Sequence, residues 1–461
     1  MKGSMKMLLD KILPPAKIHM IGIGGISMSG LAEILKNKGY VVSGSDINKT
    51  PITEKLELNG IKVFYEHNEN NIEDADAVIY TASIKKDNPE YVKAEALNLP
   101  LIERCTLLGE ISASYKNSIA IAGTHGKTTT TSMISLAFLG ANMDPTISVG
   151  GVVPEIDSNY KIGNSEFFVT EACEYVESFL SLKPHCSIVL NIEEDHLDYF
   201  KDINHIKSAF NKFVAKTDTD GFTIINNDDK NCRELTIKSN LITFGIDNKS
   251  NVMAKNIDIE DGYTTFDLIY NDNFVAQIKL SVLGKHNVYN ALACLSTCLA
   301  YNVPIDSVKD TLLKFHGAKR RFEYKGTFND IEVYDDYAHH PSEIKATLKA
   351  AKLKNANKIW CVFQPHTYTR TKTLLGEFAK AFVDADNVII TDIYAAREKD
   401  TGLVHSKDLV DEINAVSNNA IYIKSFEEIE DYLKENAKKD DVIFTVGAGN
   451  VFKIGDDLVN K

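Results

Sequence analysis

Gly123, Thr124, His125, Gly126, Lys127 and Thr128 stand in a row. Glycines let backbone N–H groups face a phosphate. A lysine at this place reaches the β and γ oxygens of a nucleoside triphosphate, and the hydroxyl after it can hold Mg²⁺. The full pattern would put another glycine at 121, where this chain has Ile121, so the loop is a variant. Thr129, Thr130 and Thr131 follow in the first turn of a predicted helix. They are weak helix formers, and their hydroxyls are expected to serve phosphate contacts. A triphosphate needs a metal, and Mg²⁺ takes few protein oxygens beside water and phosphate. Glu171 ends one predicted strand, and Glu194, Asp195, His196 and Asp198 follow another. A carboxylate and an imidazole at two strand ends suit a pair of divalent cations bridging phosphates.

A second loop, Gly22 to Ser27, also joins a predicted strand to a predicted helix. Gly22 and Gly24 fit a dinucleotide fingerprint, and Asp46 follows at the end of the next strand. In such a turn the helix N-terminus receives a pyrophosphate and the acid receives a ribose. Ser27 occupies the place of the third glycine. The loop alone is compatible with a nicotinamide dinucleotide or with any nucleoside diphosphate, and an oxidoreductase reading leaves GTHGKT unexplained.

Short β-branched runs alternate with helical patterns along the chain, which reads as α/β. Expected strands include Lys17–Ile21, Val41–Ser43, Lys62–Phe64, Ala77–Tyr80, Ser118–Ile121, Glu166–Val169, Ser187–Leu190, Ile331–Asp335, Lys358–Phe363, Asn387–Thr391 and Val442–Val446. Each loop is expected to open a helix, near Ile26–Lys38 and Lys127–Leu139; Asn251–Leu280 reads as a polar meander before a long helix near Asn287–Ala300. The 461 residues suit three domains. The boundaries are set at 1–116, 117–326 and 327–461.

Acids outnumber bases, 64 to 51, for a formal net charge of −13. That disfavours bulk nucleic acid and anionic membrane surfaces as partners. No apolar stretch approaches the ~18 residues of a membrane span, and the N-terminus lacks the pattern of a secretion signal. Met1–Ser4 carry no functional weight. Seven widely spaced cysteines with no CxxC are expected to be reduced thiols of a cytoplasmic protein, Cys294 and Cys298 being two small buried residues on one helix face.

Ten motifs in order resemble the Mur ligase family, the ATP-dependent amide-forming enzymes of peptidoglycan synthesis. They are IGIGGISMSGLA at 21–32, GSD at 44–46, TASIKKDNPE at 81–90, GTHGKTTTT at 123–131, NIEEDHLD at 191–198, GKHNVYNALA at 284–293, KRRFE at 319–323, DDYAHHPSEI at 335–344, FQPHTYTRT at 363–371 and AAREK at 395–399. The resemblance implies a Rossmann-like N-terminal domain for a UDP-sugar, a central P-loop ATPase-type domain, and a Rossmann-like C-terminal domain for an amino acid. It implies the substrates ATP, UDP-N-acetylmuramate and L-alanine, with Mg²⁺ as cofactor, and a monomer or weak homo-oligomer.

By the same resemblance Gly22, Gly24, Gly25, Ile26, Ser27, Asp46 and Ser83 bind the UDP-sugar. Gly123 to Thr129 bind the ATP phosphates, and Lys127, His196, Arg321 and His340 are catalytic. Thr128, Glu171 and His196 hold metal. Asn287 and Asn290 lie on the adenine side, Arg321 clamps phosphate and Asp336 meets the ribose. His340 and Arg370 form the amino-acid site, where an arginine fork suits a carboxylate. Read without the resemblance, His340 before Pro341 is a helix cap and Arg370 a solvated helix residue.

Three positions depart from relatives. Phe210 stands 14 residues after His196, where relatives later in the pathway carry a carbamylated lysine; this points to the alanine-adding branch. Thr367 stands where some alanine-adding relatives have arginine, and Cys173 where many have aspartate. A variant reading is a ligase that attaches a recycled peptide to the same UDP-sugar. With the proposed ATP and amino-acid contacts spread over domains, closure on binding is expected.

Overall fold

The computed structural model describes residues 11–460 except 198 and 397. Met1–Ser4, Asp198 and Arg397 of the motifs above lie outside the described residues.

Three sheets follow one another along the chain. The first is fully parallel, in the order Lys62–Phe64, Val41–Ser45, Lys17–Ile21, Ala77–Tyr80, Leu101–Glu103. Lys17–Ile21 is central, and its chain runs straight into the loop before the helix Ile26–Asn37. The loop therefore sits at the carboxyl ends of the strands, where parallel sheets bind ligands.

The second sheet has ten strands. Its parallel centre is Phe222–Asn226, Cys186–Val189, Asn117–Ala122 and Phe167–Glu171. Asn117–Ala122 delivers the phosphate loop and the helix Lys127–Gly140. The expected meander is present as Val252–Glu260, Tyr263–Tyr270 and Asn273–Leu280, all antiparallel. On the other flank Thr146–Val153 and Ser158–Lys161 form an edge pair.

The third sheet runs Glu323–Phe328, Ile331–Asp336, Val442–Val446, Ile359–Phe363, Asn387–Ile390, Ala420–Tyr422. Its first pair is an antiparallel hairpin and the rest are parallel. The expected boundary at 326 falls inside Glu323–Phe328. Pairing of that strand with Ile331–Asp336 ties it to the third sheet, so the change of sheet comes before Glu323.

One apolar cluster spans the first two domains. It joins Met20, Leu31 and Leu107 to Ala120, Phe179 and Phe210. Polar ties reinforce the junction, from Asn159 Nδ2 to the Ile26 carbonyl and from Lys55 Nζ to the Asp157 carbonyl at 2.8 Å. Further clusters fill the interior of the second domain and the two faces of the third sheet. Trp360 is buried in the third sheet, its indole donating to Asp441. Cys294 and Cys298 are both buried on the helix Lys285–Ala300, as their spacing suggested.

Candidate active site

The phosphate loop takes its shape from two glycines. Gly123 has φ +148° and Gly126 has φ +84°, conformations other side chains rarely adopt. Space adds a second demand at Gly126, where a Cβ would lie 2.6 Å from Asn290 Oδ1. Asn290 therefore stands against the phosphate loop. It also accepts from Thr130 Oγ1 at 3.1 Å and donates to Asn287 Oδ1 at 3.1 Å.

The hydroxyls of Thr130 and Thr131 are engaged by the protein itself. The first donates to Asn290 and the second to the Lys127 carbonyl, and both are fully buried. Helix residues with short hydroxyls bond back to the preceding turn when nothing else competes. Only Thr129 of the three lines a cavity.

Lys127 Nζ donates to the carbonyls of Gly123 and Thr124 and to both oxygens of Glu174, the closer at 2.9 Å. Burial works against its charge, but Glu174 and its neighbours prevail and the pKa is raised. The lysine is thus a held cation at the mouth of the loop. Glu171 also acts on it electrostatically. Glu171 itself accepts from the Gly150 amide at 2.6 Å, and a Cβ at Gly151 would sit 3.2 Å from Thr128. Gly150 and Gly151, inside the strand Thr146–Val153, thereby border Glu171 and Thr128. A hydroxyl, a carboxylate and nearby phosphate oxygens are donors of the kind Mg²⁺ prefers. His196, with φ +54°, packs at a tilt against the Tyr175 ring, centroids 4.7 Å apart, and lies 4.0 Å from Glu174.

Between the second and third domains lies a cavity of about 790 Å³. Its wall includes His125, Gly126, Thr129, Asn287, Asn290, Arg321 and Asp336, seven residues expected from sequence. Arg321 comes from the turn before the third sheet, and its neighbour Arg320 explains how the turn is fixed. Arg320 pairs with Asp335 at 2.8 Å and donates to the carbonyls of Gly447 and Gly449. Asp336 ends a strand, accepts from the Phe322 and Ala338 amides, and is pushed up to about 6 by burial, partly offset by Arg321.

Sequence reasoning passed over four wall or support residues. His286 lines the cavity and burial lowers it to about 4. His125 is gripped by Glu193 and Glu343, which overcome its burial and raise it to about 10. Glu343 lies well below the usual range because His339 and His125 outweigh its burial. His286 and Glu343 lie inside quoted motifs, and Glu193 and Glu174 beside His196 and Glu171, but their partners are far away in sequence. His125, Glu193 and His340 present ligand atoms within 4.8 Å of one another. The proton on His125 already balances charge there.

His340 does cap the helix Pro341–Ala351, through Ser342, while its Nε2 meets the Glu194 carbonyl at 3.1 Å. Both readings of its sequence position therefore touch the same ring, whose two nitrogens are engaged. Arg370 is not solvated. It sits on the helix Tyr368–Thr373, 3.2 Å from Asp195 and 3.1 Å from His366. Thr367 precedes that helix with φ +67° and is buried. Phe210 is buried against Phe179, with no polar atom to offer a metal.

In the first domain Asp46 accepts from the Gly24 amide at 3.0 Å, so acid and glycine loop are directly joined. A Cβ at Gly24 would clash with Asp46 at 2.7 Å. Ser27 accepts from Arg104 Nη1 at 3.0 Å. Both line a small cavity of about 160 Å³ that reaches Glu171 across the domain junction. The Ser83 amide donates to Thr81, close after the strand Ala77–Tyr80. Gly22, Gly25 and Ile26 complete the turn.

Family models match along the chain in the same order as the sheets. The Mur ligase family, catalytic domain, matches residues 17–116; the Mur ligase middle domain, 121–298; and the Mur ligase, glutamate ligase domain, 320–449. The UDP-N-acetylmuramate--L-alanine ligase of Acetivibrio thermocellus is 54% identical over 96% of each chain. This chain belongs to the Mur ligase family. Among solved Mur ligase structures, the UDP-N-acetylmuramate-alanine ligase MurC of Thermotoga maritima superposes with a TM-score of 0.83 at 31% identity, covering 96% of this chain and 98% of that one. A murein peptide ligase from Psychrobacter arcticus gives 0.72 at 26%, with the same coverage. No helix among the described residues is long and apolar enough to cross a membrane.

Proposed function

We propose that this Mur ligase joins L-alanine to the lactyl carboxylate of UDP-N-acetylmuramate, converting ATP to ADP and phosphate, in the cytoplasm. The observation that carries the reading is the 54% identity, over nearly the whole chain, to a relative named for that reaction. Phe210 supports it, since a buried phenyl ring cannot carry a carbamate.

A carboxylate is a poor electrophile, so the γ-phosphoryl of ATP is first transferred to it and ADP departs. Two anions must meet, and Lys127, oriented by Glu174, neutralises the transferring group. Thr128, Glu171 and His196 would hold Mg²⁺, which supplies further charge neutralisation on the phosphates. Amides at Gly123 to Gly126 cradle them, Arg321 clamps from the third domain, and Asp336 accepts from the ribose. Asn287 and Asn290 close the wall beside the loop. The first-domain set, Gly22, Gly24, Gly25, Ile26, Ser27, Asp46 and Ser83, holds the UDP-sugar. Arg370 fixes the amino-acid carboxylate, with His340 at the rim. The ammonium gives one proton to solvent, the amine attacks the acyl carbon, and phosphate leaves with the bonding electron pair and takes up the second proton shed by the amide nitrogen.

Phosphate release from enzyme, ATP, Mg²⁺ and UDP-N-acetylmuramate tests the reading. It is expected with L-alanine, and to stop with EDTA. Release with a free tripeptide and none with alanine would overturn it in favour of peptide recycling.

A further inference from the structure

Between the phosphate loop and Arg370 runs an unbroken row of polar side chains. Lys127 Nζ lies 2.9 Å from Glu174, Glu174 lies 4.0 Å from His196, His196 lies 3.7 Å from Asp195, and Asp195 lies 3.2 Å from Arg370. Asp195 is buried in the second domain, and Arg370 reaches it from the third. Their contact runs from a single guanidinium nitrogen to Oδ1. Oδ1 also accepts the His196 amide at 2.7 Å. Oδ2 has no hydrogen-bond donor in range among the described residues, His196 Nε2 being too far at 3.7 Å.

A buried carboxylate with one open oxygen, next to a guanidinium whose five N–H groups exceed its contacts with Asp195 and His366, matches an α-amino acid charge for charge. We infer that Asp195 and Arg370 form one receptor for the zwitterion, Arg370 taking the α-carboxylate and the open oxygen of Asp195 taking the α-ammonium. The inference rests on the amino-acid ligation proposed above. Bound this way, the nitrogen lies on the side of Asp195 that faces His196 and Lys127, towards the phosphoryl end of the row. The carboxylate points away from it. Asp195 is a positioning residue: it orders the nitrogen and sets which ligands are accepted. A buried site built to pair an ammonium leaves its acid unpaired when the ligand lacks one, and so discriminates strongly.

L-lactate is the probe, being alanine with hydroxyl in place of ammonium. Its inhibition constant against alanine is measured at saturating UDP-sugar, for the wild type and for Asp195→Asn. Wild type should bind lactate at least 10-fold more weakly than alanine. In D195N the alanine KM should rise at least 10-fold while lactate binds as well or better, so the ratio collapses toward one. Equal weakening of both ligands overturns the inference. So does an unchanged ratio with a raised Mg²⁺ requirement, which would mean that Asp195 only orients His196. If D195N fails to fold, the wild-type ratio decides, and lactate binding as tightly as alanine overturns it. Absence of any alanine-dependent phosphate release in the wild type would instead overturn the parent reading.

Discussion

Removing the Lys127 ammonium should do two separable things. The side chain is the partner of Glu174, whose carboxylate is only 3% exposed. Breaking a buried pair by deleting one member costs about 3–5 kcal/mol because the other charge is stranded. Lys127 is 16% exposed and His196 lies within 4.0 Å to share the charge, so about 2–3 kcal/mol is the expected loss for Lys127→Met. At about 2–4 °C per kcal/mol for a domain of this size, Tm should fall by about 5–10 °C in differential scanning calorimetry. Adding Glu174→Gln removes the stranded charge and should recover most of that fall. Activity should behave differently. A lost transition-state cation costs about 10²- to 10³-fold in kcat, and neither K127M nor the double variant restores one. Equal Tm for the single and double variants would refute the pairing. Recovery of kcat in the double variant would refute the catalytic role.

Asp336 titrates near 6 in the folded chain against an ordinary value near 4, because burial disfavours its charge. Its ionisation therefore costs stability as pH rises between those values, by up to about 3 kcal/mol. Urea unfolding should show Asp336→Asn gaining on the wild type from pH 4 to pH 7, and a pH-independent difference would contradict this. Glu343→Gln weakens the 3.1 Å charged bond to His125 across the cavity. Closure should become about 10- to 100-fold less favourable, a charge-assisted bond contributing about 1.5–3 kcal/mol; scattering with ATP and UDP-sugar should then give a larger radius of gyration than the wild type. Gly109→Ala places a Cβ 2.2 Å from the Ser181 carbonyl, which is backbone and cannot swing aside. A Tm fall of several degrees is expected, and an unchanged Tm would mean that the helix Arg104–Ala113 can shift at the junction.

Buried parallel strands were legible because they are dense β-branched runs; Lys17–Ile21 and Val442–Val446 keep their expected ends. The edge pair Thr146–Val153 and Ser158–Lys161 was not, since Gly150, Gly151 and a polar partner strand mask the period. Glu323–Phe328 was missed for a similar reason: Gly326 interrupts it at a register shift. In the site, what depends on local order was readable, including the loop, its lysine and the strand-end acids. Contacts such as His125 with Glu343 and Asp195 with Arg370 join residues 218 and 175 apart. Nothing local signals them, because the partners meet only when two domains meet. Nor does sequence show that hydroxyls near a phosphate loop can be taken up by the protein itself, Thr130 by Asn290 on a neighbouring helix and Thr131 within its own.

The apolar cluster that fuses the first two domains has no counterpart at the third, whose clusters are its own. Charged and polar contacts across water-accessible space make that second junction. Such a junction parts more readily than an apolar one, so closure is expected to carry the third domain against the other two. An amino-acid pocket with Asp195 on one side of that junction and Arg370 on the other is complete only while the two domains are together. Such a pocket imposes an order of events, with the amino acid entering last and water kept from the acyl phosphate until the nucleophile is in place.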